Sequence, residues 1–291
     1  MRLSISNLSK TYPNGVKALD DLSLDIGFGM FGLLGPNGAG KSSLMRTLAT
    51  LQLPDQGSVL FDSINVLKEP MRLRKILGYL PQEFGVYPSI SAEDLLDYFA
   101  ILKGVDSKSD RKRRVREVLE LTNLYEIRKK HVAGYSGGMK QRFGIAQLML
   151  NNPQLIIVDE PTAGLDPAER NRFLNVLREL ARTSTIIFST HIVDDVKDLC
   201  KEMAIMNGGR ILKHTSPHNA TKSLIGKIWA TSILREELEA MEATLPVLSS
   251  KYIADQTIQV RVHAPERPTD LFESVEPDLE DVYFIALKNN S

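Results

Sequence analysis

A glycine-rich octapeptide near the N-terminus has the residue types and spacing of a phosphate-binding loop. It matches the pattern GxxxxGK[ST] and reads Gly35-Pro36-Asn37-Gly38-Ala39-Gly40-Lys41-Ser42. The loop follows the apolar run Met30–Leu34 and opens a helical pattern, so its backbone amides and the helix N-terminus can face one anion. In this pattern Lys41 contacts the β- and γ-phosphates, and Ser42 ligates Mg²⁺. The motif predicts ATP binding and leaves the reaction class open.

A pair of carboxylates follows a second apolar run. Leu155–Val158 has no polar alternation, which is typical of a central strand covered on both faces, and Asp159 and Glu160 come next. Adjacent side chains on a strand face opposite ways, so the two acids can do different work. Asp159 suits a Mg²⁺ shell, and Glu160 suits activation of an attacking water, which is worth about 10²–10⁴ in rate. The alternative is two solvated acids at a strand end before Pro161.

A third motif narrows the class of protein. The segment just upstream of Asp159 reads Tyr135-Ser136-Gly137-Gly138-Met139-Lys140-Gln141-Arg142. It resembles the signature motif of ABC ATPases, which is usually LSGGQ followed by basic residues. Tyr135 stands where Leu is usual and Met139 where Gln is common, but both flank the Ser-Gly-Gly turn rather than replace it.

Other short segments agree with that family in chain order. Tyr12, which lies before Val16, matches the aromatic residue that stacks on adenine, and Gln82 matches the glutamine loop. Gly164-Leu165-Asp166 matches the D-loop, and His191 matches the switch histidine. The resemblance covers about residues 1–220.

This resemblance assigns expected roles to individual positions. The expected nucleotide-binding residues are Tyr12, Val16, Gly35, Pro36, Asn37, Gly38, Ala39, Gly40, Lys41, Ser42, Ser43, Ser136, Gly137, Gly138 and Asp166. The expected catalytic residues are Lys41, Gln82, Glu160 and His191. The expected Mg²⁺ ligands are Ser42, Gln82 and Asp159.

The turn Ser136-Gly137-Gly138 has the chemistry of a second anion site, because it presents a hydroxyl and amides at a helix start. In the family it reaches the nucleotide of the opposite subunit. Each ATP would then lie between the Lys41 loop of one chain and the Ser136 turn of another. Hydrolysis would weaken that contact and drive a conformational cycle.

The C-terminal segment Glu276–Tyr283 resembles the P-x-L-E-D-V-F ending of drug- and sodium-exporter-type ATP-binding subunits. This favours export over nutrient import. The plainer interpretation is a packing helix that starts at Asp278 and has Leu279, Val282 and Ile285 on one face. Both interpretations can hold together.

The elements that must position these motifs are alternating strands and helices. They predict an α/β fold: a P-loop NTPase core with an antiparallel β subdomain and a helical insertion, plus a small C-terminal α+β domain. We expect the ATPase domain at residues 1–222, with the helical subdomain at about 84–150, and the accessory domain at 223–291. The pattern loosens at Pro217-His218-Asn219, near the end of the core.

Bulk composition constrains the partners and the compartment. The 36 Lys and Arg residues balance 36 Asp and Glu residues, which argues against a dedicated nucleic-acid binder. The lone Cys200 fits a reducing cytosol, and no apolar run approaches the ~20 residues that span a bilayer. We therefore expect a cytoplasmic protein held at the inner face of the cell membrane by a separate permease, paired with a second ATP-binding subunit of identical or related sequence.

Two other functions are alternatives to transport. Soluble ABC ATPases that act on ribosomes usually carry two cores in one chain, and those that act on DNA carry a long coiled coil, so this chain is too short for either. A P-loop kinase would need an acceptor pocket in place of the Ser136 turn. The basic run Arg111–Arg114 is interpreted as a solvated helix face, with contact to acidic lipid as the alternative.

Overall fold

The computed structural model describes residues 1–82, 85, 87, 89–162 and 165–289. The strands are β1 (Leu3–Thr11), β2 (Lys17–Ile26), β3 (Gly29–Leu34), β4 (Gln56–Phe61), β5 (Ile64–Asn65), β6 (Leu77–Leu80), β7 (Leu155–Asp159), β8 (Thr185–Thr190), β9 (Glu202–Asn207), β10 (Arg210–Thr215), β11 (Ile228–Leu234), β12 (Val247–Ala254), β13 (Thr257–His263) and β14 (Glu273–Ser274).

The helices are α1 (Lys41–Leu48), α2 (Pro70–Arg74), α3 (Ala92–Leu102), α4 (Lys108–Leu121), α5 (Gly137–Met149), α6 (Pro167–Leu180), α7 (Val193–Leu199), α8 (Pro217–Lys222), α9 (Leu238–Thr244) and α10 (Leu279–Lys288). Short 3₁₀ turns lie at Tyr125–Ile127, Val132–Gly134 and Arg235–Glu237.

A six-stranded sheet in the order β10-β9-β3-β8-β7-β6 forms the centre of the molecule. Its strands are parallel except β10, which runs antiparallel to β9. Successive β7 residues face opposite cores: Leu155 and Ile157 pack with α1 and the N-terminal strands, whereas Ile156 and Val158 pack with the helices on the other side. Both faces are therefore covered, which explains the unbroken apolar run.

An antiparallel sheet in the order β2-β1-β4-β5 covers one side of the central sheet. Alternate residues of β1, including Leu3 and Ile5, are buried, and the intervening Ser4 and Ser6 are more exposed. Helix α1 packs between this layer and the central sheet. This arrangement places the N-terminal end of α1 beside the carboxyl ends of β3 and β7.

Helices α3, α4 and α5 lie within the helical subdomain that the sequence predicts at about residues 84–150. The predicted start of the insertion, residue 84, lies outside the described residues. Each of Arg111, Arg113 and Arg114 has an acidic partner within the region, Asp97, Asp110 and Glu117 respectively. Lys112 and Arg113 are exposed, but Arg111 and Arg114 turn inwards and bond backbone carbonyls, so the run is a solvated helix face only in part.

The C-terminal residues form a third sheet, in the order β12-β13-β11-β14, with its own apolar cluster around Val260 and Phe272. Helix α10 packs against α7 and α8 of the preceding part, and Lys197 bonds Asp278 at 3.1 Å. Leu279 and Val282 accordingly belong to the same apolar cluster as the central sheet.

The Pro217–Asn219 segment differs from the sequence expectation. It is the first turn of α8, where Ser216 caps the helix by accepting a hydrogen bond from the Asn219 amide at 3.1 Å. Proline is well tolerated at a first helical position, so it begins this helix rather than loosening the chain. Among the described residues, no helix is both long enough and apolar enough to cross a membrane.

Candidate nucleotide site

A cavity of about 490 Å³ lies at the start of α1. Its lining brings together most of the predicted nucleotide-binding residues, namely Tyr12, Val16, Asn37, Gly38, Ala39, Gly40, Lys41, Ser42 and Ser43, with the predicted catalytic residues Gln82 and Glu160. Ala18, which the sequence did not single out, also lines it. Residues from four separate parts of the sequence therefore meet at one end of the parallel sheet, at the carboxyl ends of its strands. This edge is where open α/β folds place their ligands.

Two close approaches explain the glycines of the loop. Gly40 is the N-cap of α1 with φ 103°, a left-handed conformation that residues with a Cβ rarely adopt. A Cβ at Gly40 would also collide with the backbone oxygen of Ala18, and one at Gly35 would collide with that of Met206. The loop can therefore lie flat against the neighbouring strands only with glycine at these two positions.

The Lys41 side chain is 4% exposed and lies among oxygen atoms. Its Nζ donates to the carbonyls of Gly35 at 2.8 Å and Pro36 at 3.1 Å, and it lies 3.1 Å from Oε1 of Glu160. A buried ammonium requires such partners, because burying it without them is costly. The paired ammonium lines the cavity, where phosphate oxygens can bind it.

The two predicted acids have different surroundings, as expected from their adjacent positions. Asp159 is 3% exposed and accepts a 2.6 Å hydrogen bond from the Ser189 hydroxyl. Burial, together with the negative charge of Asp159, raises the pKa of the Tyr79 phenol on the adjacent strand β6. Glu160 instead contacts Lys41 through Oε1, and its Oε2 lies 3.2 Å from Nδ1 of His191.

The backbone of Glu160 is in an unusual conformation, with φ 45° immediately before Pro161. Such a left-handed non-glycine residue is held at a cost of about 1–3 kcal/mol and persists only where its surroundings fix it. Its amide donates to both the carbonyl at 3.1 Å and the hydroxyl at 3.0 Å of Ser189. This turn ends the strand and directs the carboxylate towards Lys41. Strain of this kind points to a functional role for Glu160.

Tyr12 lies at the rim of the cavity. Its hydroxyl is 3.0 Å from both Ser43 Oγ and Gln52 Oε1, so the ring is anchored over α1. Val16 is 54% exposed and closes the same turn, since its carbonyl accepts from the Tyr12 amide at 2.9 Å. An aromatic ring beside an exposed aliphatic side chain provides a surface for a flat base.

The signature turn lies elsewhere on the surface. Ser136 is the N-cap of α5 and accepts from the Met139 amide at 3.3 Å, and Gly137 begins the helix. Ser136 and Gly137 are exposed, and within the described part of the chain neither they nor Gly138 line the cavity. Ser136 and Gly137 are therefore accessible to a ligand from outside this chain.

The unusual signature residues point inwards. Tyr135 is 4% exposed, packs in the helical core and donates to the Ile127 carbonyl at 3.0 Å. Met139 is half-buried against the same core. A Cβ on Gly138 would lie 2.7 Å from Cγ of Glu169 at the start of α6, which explains the glycine at this position. The turn itself is therefore unaffected by Tyr135 and Met139.

Asp166 caps α6 by accepting from the Glu169 amide at 2.9 Å, as the sequence suggested. Leu165 and Asp166 of the predicted D-loop are described, whereas Gly164 lies outside the described residues. Asp166 does not line the cavity in the part of the chain that the structure covers.

Sequence reasoning missed two groups of residues around Glu160. The Ser189 hydroxyl donates to Asp159 and accepts from the Glu160 amide. Its position two residues before His191 is the sequence feature that could have identified it. Thr162 and Asp195 are buried and form a network with the half-buried Arg170, and no local motif marks it.

Comparisons with known proteins identify the family of this chain. Residues 19–163 match the family model described as ABC transporter. The chain is 38% identical over 210 residues to the uncharacterized ABC transporter ATP-binding protein YxlF of Bacillus subtilis (strain 168), which covers 72% of this chain and 69% of that protein. It is 32% identical over 296 aligned positions to the Nod factor export ATP-binding protein I of Rhizobium etli. That match covers 97% of this chain and 92% of the Rhizobium protein.

A similar solved structure is the ATP-binding cassette MJ0796, a dimer in a post-hydrolysis state bound to ADP and Pi. It has a TM-score of 0.68 and 26% identity, and the match covers 74% of this chain and 98% of that one. This likeness confirms the predicted P-loop NTPase fold, and these relatives do not favour an ATPase of ribosomes or DNA, or a kinase. The chain binds ATP, its activity is ATP hydrolysis, and it belongs to the family of ABC transporter ATP-binding subunits.

Proposed function

We propose that this chain pairs head-to-tail with a second ATP-binding subunit around two ATP molecules and so powers a separate membrane permease. The observation that carries the proposal is the separation of two anion-binding surfaces. Lys41, Glu160 and Gln82 line one cavity, while Ser136 and Gly137 lie exposed outside it at the start of α5. The dimeric MJ0796 structure supports such a pairing.

Within the cavity, Lys41 would bind the β- and γ-phosphates and Glu160 would orient or deprotonate the attacking water. His191, whose Nδ1 lies 3.2 Å from Glu160, would contact the γ-phosphate. Tyr12 would stack on adenine. The partner's copy of the Ser136 turn would complete the γ-phosphate site, with Asp166 at the same interface.

The site also suits Mg²⁺. Ser42 and Gln82 line the cavity, Asp159 is adjacent, and these residues offer the hydroxyl, amide and carboxylate oxygens that Mg²⁺ prefers. No cluster of three or more His, Cys, Asp or Glu side chains suited to a metal occurs in the described residues, which fits an ion held partly by substrate phosphates. When bound, the ion would neutralise charge on those phosphates.

Apolar side chains on the helical region support docking of a permease. Tyr98, Ile101 and Leu102 on α3 are 49%, 45% and 65% exposed, although the opposite face of α3 packs into the core. Such a patch marks an interaction surface. Docking there would hold the protein at the inner face of the cell membrane.

Export is the proposed direction of transport. The C-terminal ending Glu276–Tyr283 supports it, as does the similarity to the Nod factor export protein along 97% of this chain. We further propose two units, an ATPase domain at 1–222 with a helical subdomain at about 84–150, and an accessory domain at 223–291.

The pairing is tested with Ser136→Arg placed in a Glu160→Gln background that slows hydrolysis. We expect the background variant to dimerise with MgATP, measured by light scattering after size exclusion. Ser136→Arg should abolish that dimer while ATP binding to the monomer, measured by calorimetry, stays within about twofold. Ser250→Arg, at an exposed position of β12, is the control and should dimerise normally. An ATP-dependent dimer of the Ser136→Arg protein with unchanged stoichiometry contradicts the proposal.

A further inference from the structure

Asp195 is a fully buried carboxylate in the third position of α7, four residues after His191. The residue is 1% exposed. Its Oδ2 accepts from the Thr162 hydroxyl at 2.8 Å, and its Oδ1 accepts from Nε of Arg170 at 2.7 Å. Nη2 of Arg170 lies 2.7 Å from the same Oδ1. One carboxylate therefore holds three segments that are separate in the sequence.

Each of these segments bears on the candidate site. Thr162 is 3% exposed and lies two residues after Glu160, beyond Pro161. Arg170 lies in the first turns of α6, the helix that Asp166 caps. Helix α7 itself begins two residues after His191 and packs against β3 and β8 of the central sheet. Asp195 is thus joined to the loop after the predicted base and carried by the helix after the switch histidine.

The hydrogen bonds of Asp195 can help to hold the strained backbone of Glu160. Glu160 holds φ 45°, and such a conformation needs support from both sides. Ser189 supplies the support at the Glu160 amide, with bonds to its carbonyl and hydroxyl oxygens. On the other side, Pro161 has no amide hydrogen to donate, and the next side-chain anchor is Thr162 on Asp195.

We propose that Asp195 is a positioning residue for ATP hydrolysis: by holding Thr162 and Arg170 to α7, it fixes Glu160 relative to His191 and Lys41. It touches no reacting atom. Its contribution is to keep the Glu160 carboxylate where both Lys41 Nζ and His191 Nδ1 are within about 3.2 Å. This inference rests on the proposed role of Glu160 as the residue that activates water.

The Thr162 hydroxyl offers the sharpest test, because valine matches threonine in shape and serine keeps the hydroxyl. We expect Thr162→Val to lower kcat about tenfold while KM for ATP stays within twofold, since Thr162 is not among the described residues that line the cavity. Thr162→Ser should restore kcat to within about twofold of the parent. A residue that served only packing would give the opposite order, since valine preserves its volume.

Asp195→Asn should give a similar loss of kcat, and the Thr162→Val/Asp195→Asn double variant should lose little more than either single variant, because both remove the same link. Asp194→Asn is the matched control, an exposed acid on the same helix, and should retain parental kcat. The folded fraction of each variant is measured by circular dichroism and used to correct kcat.

The proposal is overturned if Thr162→Val keeps parental kcat, or if kcat and ATP binding fall in the same proportion. It is also overturned if Thr162→Ser is no better than Thr162→Val. Failure of the proposed function is seen separately: Glu160→Gln would then hydrolyse ATP at the parental rate, whatever the Thr162 variants do.

Discussion

Nζ of Lys41 lies 3.1 Å from Oε1 of Glu160, and both side chains are almost completely buried. The predicted phosphate-binding lysine and the predicted base therefore contact each other directly. In the proposed function, phosphate oxygens on Lys41 would compete with Glu160 for the same ammonium, which would link nucleotide binding to the freedom of the carboxylate. The second oxygen of Glu160, next to His191, keeps the carboxylate in place.

Glu160→Gln removes the negative charge but keeps the shape of the side chain. We expect ATP hydrolysis to fall by about 10²–10⁴ because general-base help is lost. ATP should still bind, since Lys41 and the loop are intact. Phosphate release and calorimetry measure the two effects. The control is Glu266→Gln, an exposed glutamate in the C-terminal part, which should hydrolyse ATP normally. Parental turnover in Glu160→Gln would place the water-activating group elsewhere.

Lys41→Ala removes the only ammonium that lines the cavity among the described residues. We expect ATP affinity itself to fall at least about tenfold, because a charge-assisted contact to phosphate, worth roughly 1.5–3 kcal/mol, is lost. Equilibrium binding of a fluorescent ATP analogue measures this. Lys112→Ala, at an exposed position of α4, should bind as the parent does. Equal affinity in both variants would be inconsistent with the predicted site.

Tyr135→Phe tests the inward orientation of the unusual signature residue. The variant loses the hydrogen bond from the buried hydroxyl to the Ile127 carbonyl, so stability should fall by about 1 kcal/mol. ATP hydrolysis should stay within twofold, since the Ser136 turn is untouched. Thermal unfolding and phosphate release measure these effects. Tyr252→Phe, at a side chain that is 61% exposed, is the neutral control. A large loss of turnover in a folded Tyr135→Phe protein would contradict this orientation.

Asp281→Ala tests the anchor of α10. Asp281 is 1% exposed and accepts from Arg261 at 2.9 Å and 2.6 Å, so its removal leaves the half-buried guanidinium with the Glu276 carbonyl as its remaining acceptor. We expect the C-terminal sheet to lose about 1–3 kcal/mol of stability. Trp229, the single tryptophan, lies in that sheet and reports its unfolding in denaturant by fluorescence. Glu280→Ala, at the exposed neighbour, should leave the denaturant midpoint of unfolding nearly unchanged. If Asp281→Ala and Glu280→Ala unfold at the same denaturant midpoint, Asp281 does not anchor α10.

Lys103 predicts a dependence of stability on pH. Burial lowers the pKa of its ammonium to about 8, although the group bonds Asn151 at 3.2 Å. Between pH 8 and the ordinary value of 10.5 the unfolded chain holds more protons than the folded one, so this group makes the protein more stable as pH rises. The gain is at most about 1.4 kcal/mol per pH unit.

Denaturation at pH 7.5 and 9.5 measures this effect against Lys103→Met. The parent should gain stability relative to Lys103→Met at the higher pH, whereas the exposed control Lys112→Met should show no relative change. Parallel pH profiles of the parent and Lys103→Met would rule out a lowered pKa.

Most elements of the fold could be predicted because they carry strong patterns. Strands β3 and β7 carry apolar runs, and α10 begins directly after Asp278, where the sequence predicts its start. The short elements β5, α2 and α8 were not predicted, because two to six residues carry too little periodicity and depend on packing for their stability.

The sequence by itself determined the chemistry that is local in the chain. The loop at Lys41, the acids at Asp159 and Glu160, and the Ser136 turn are each a few consecutive residues whose backbone requirements and functional groups can be read together. Only the tertiary structure decided which distant groups meet. The Lys41–Glu160 contact, the Ser189 bonds to Asp159 and Glu160, and the Thr162–Asp195–Arg170 network join residues from different strands and helices. Such contacts arise from the order of strands in the sheet and from the burial of polar groups that must find partners, and neither leaves a local pattern in the sequence.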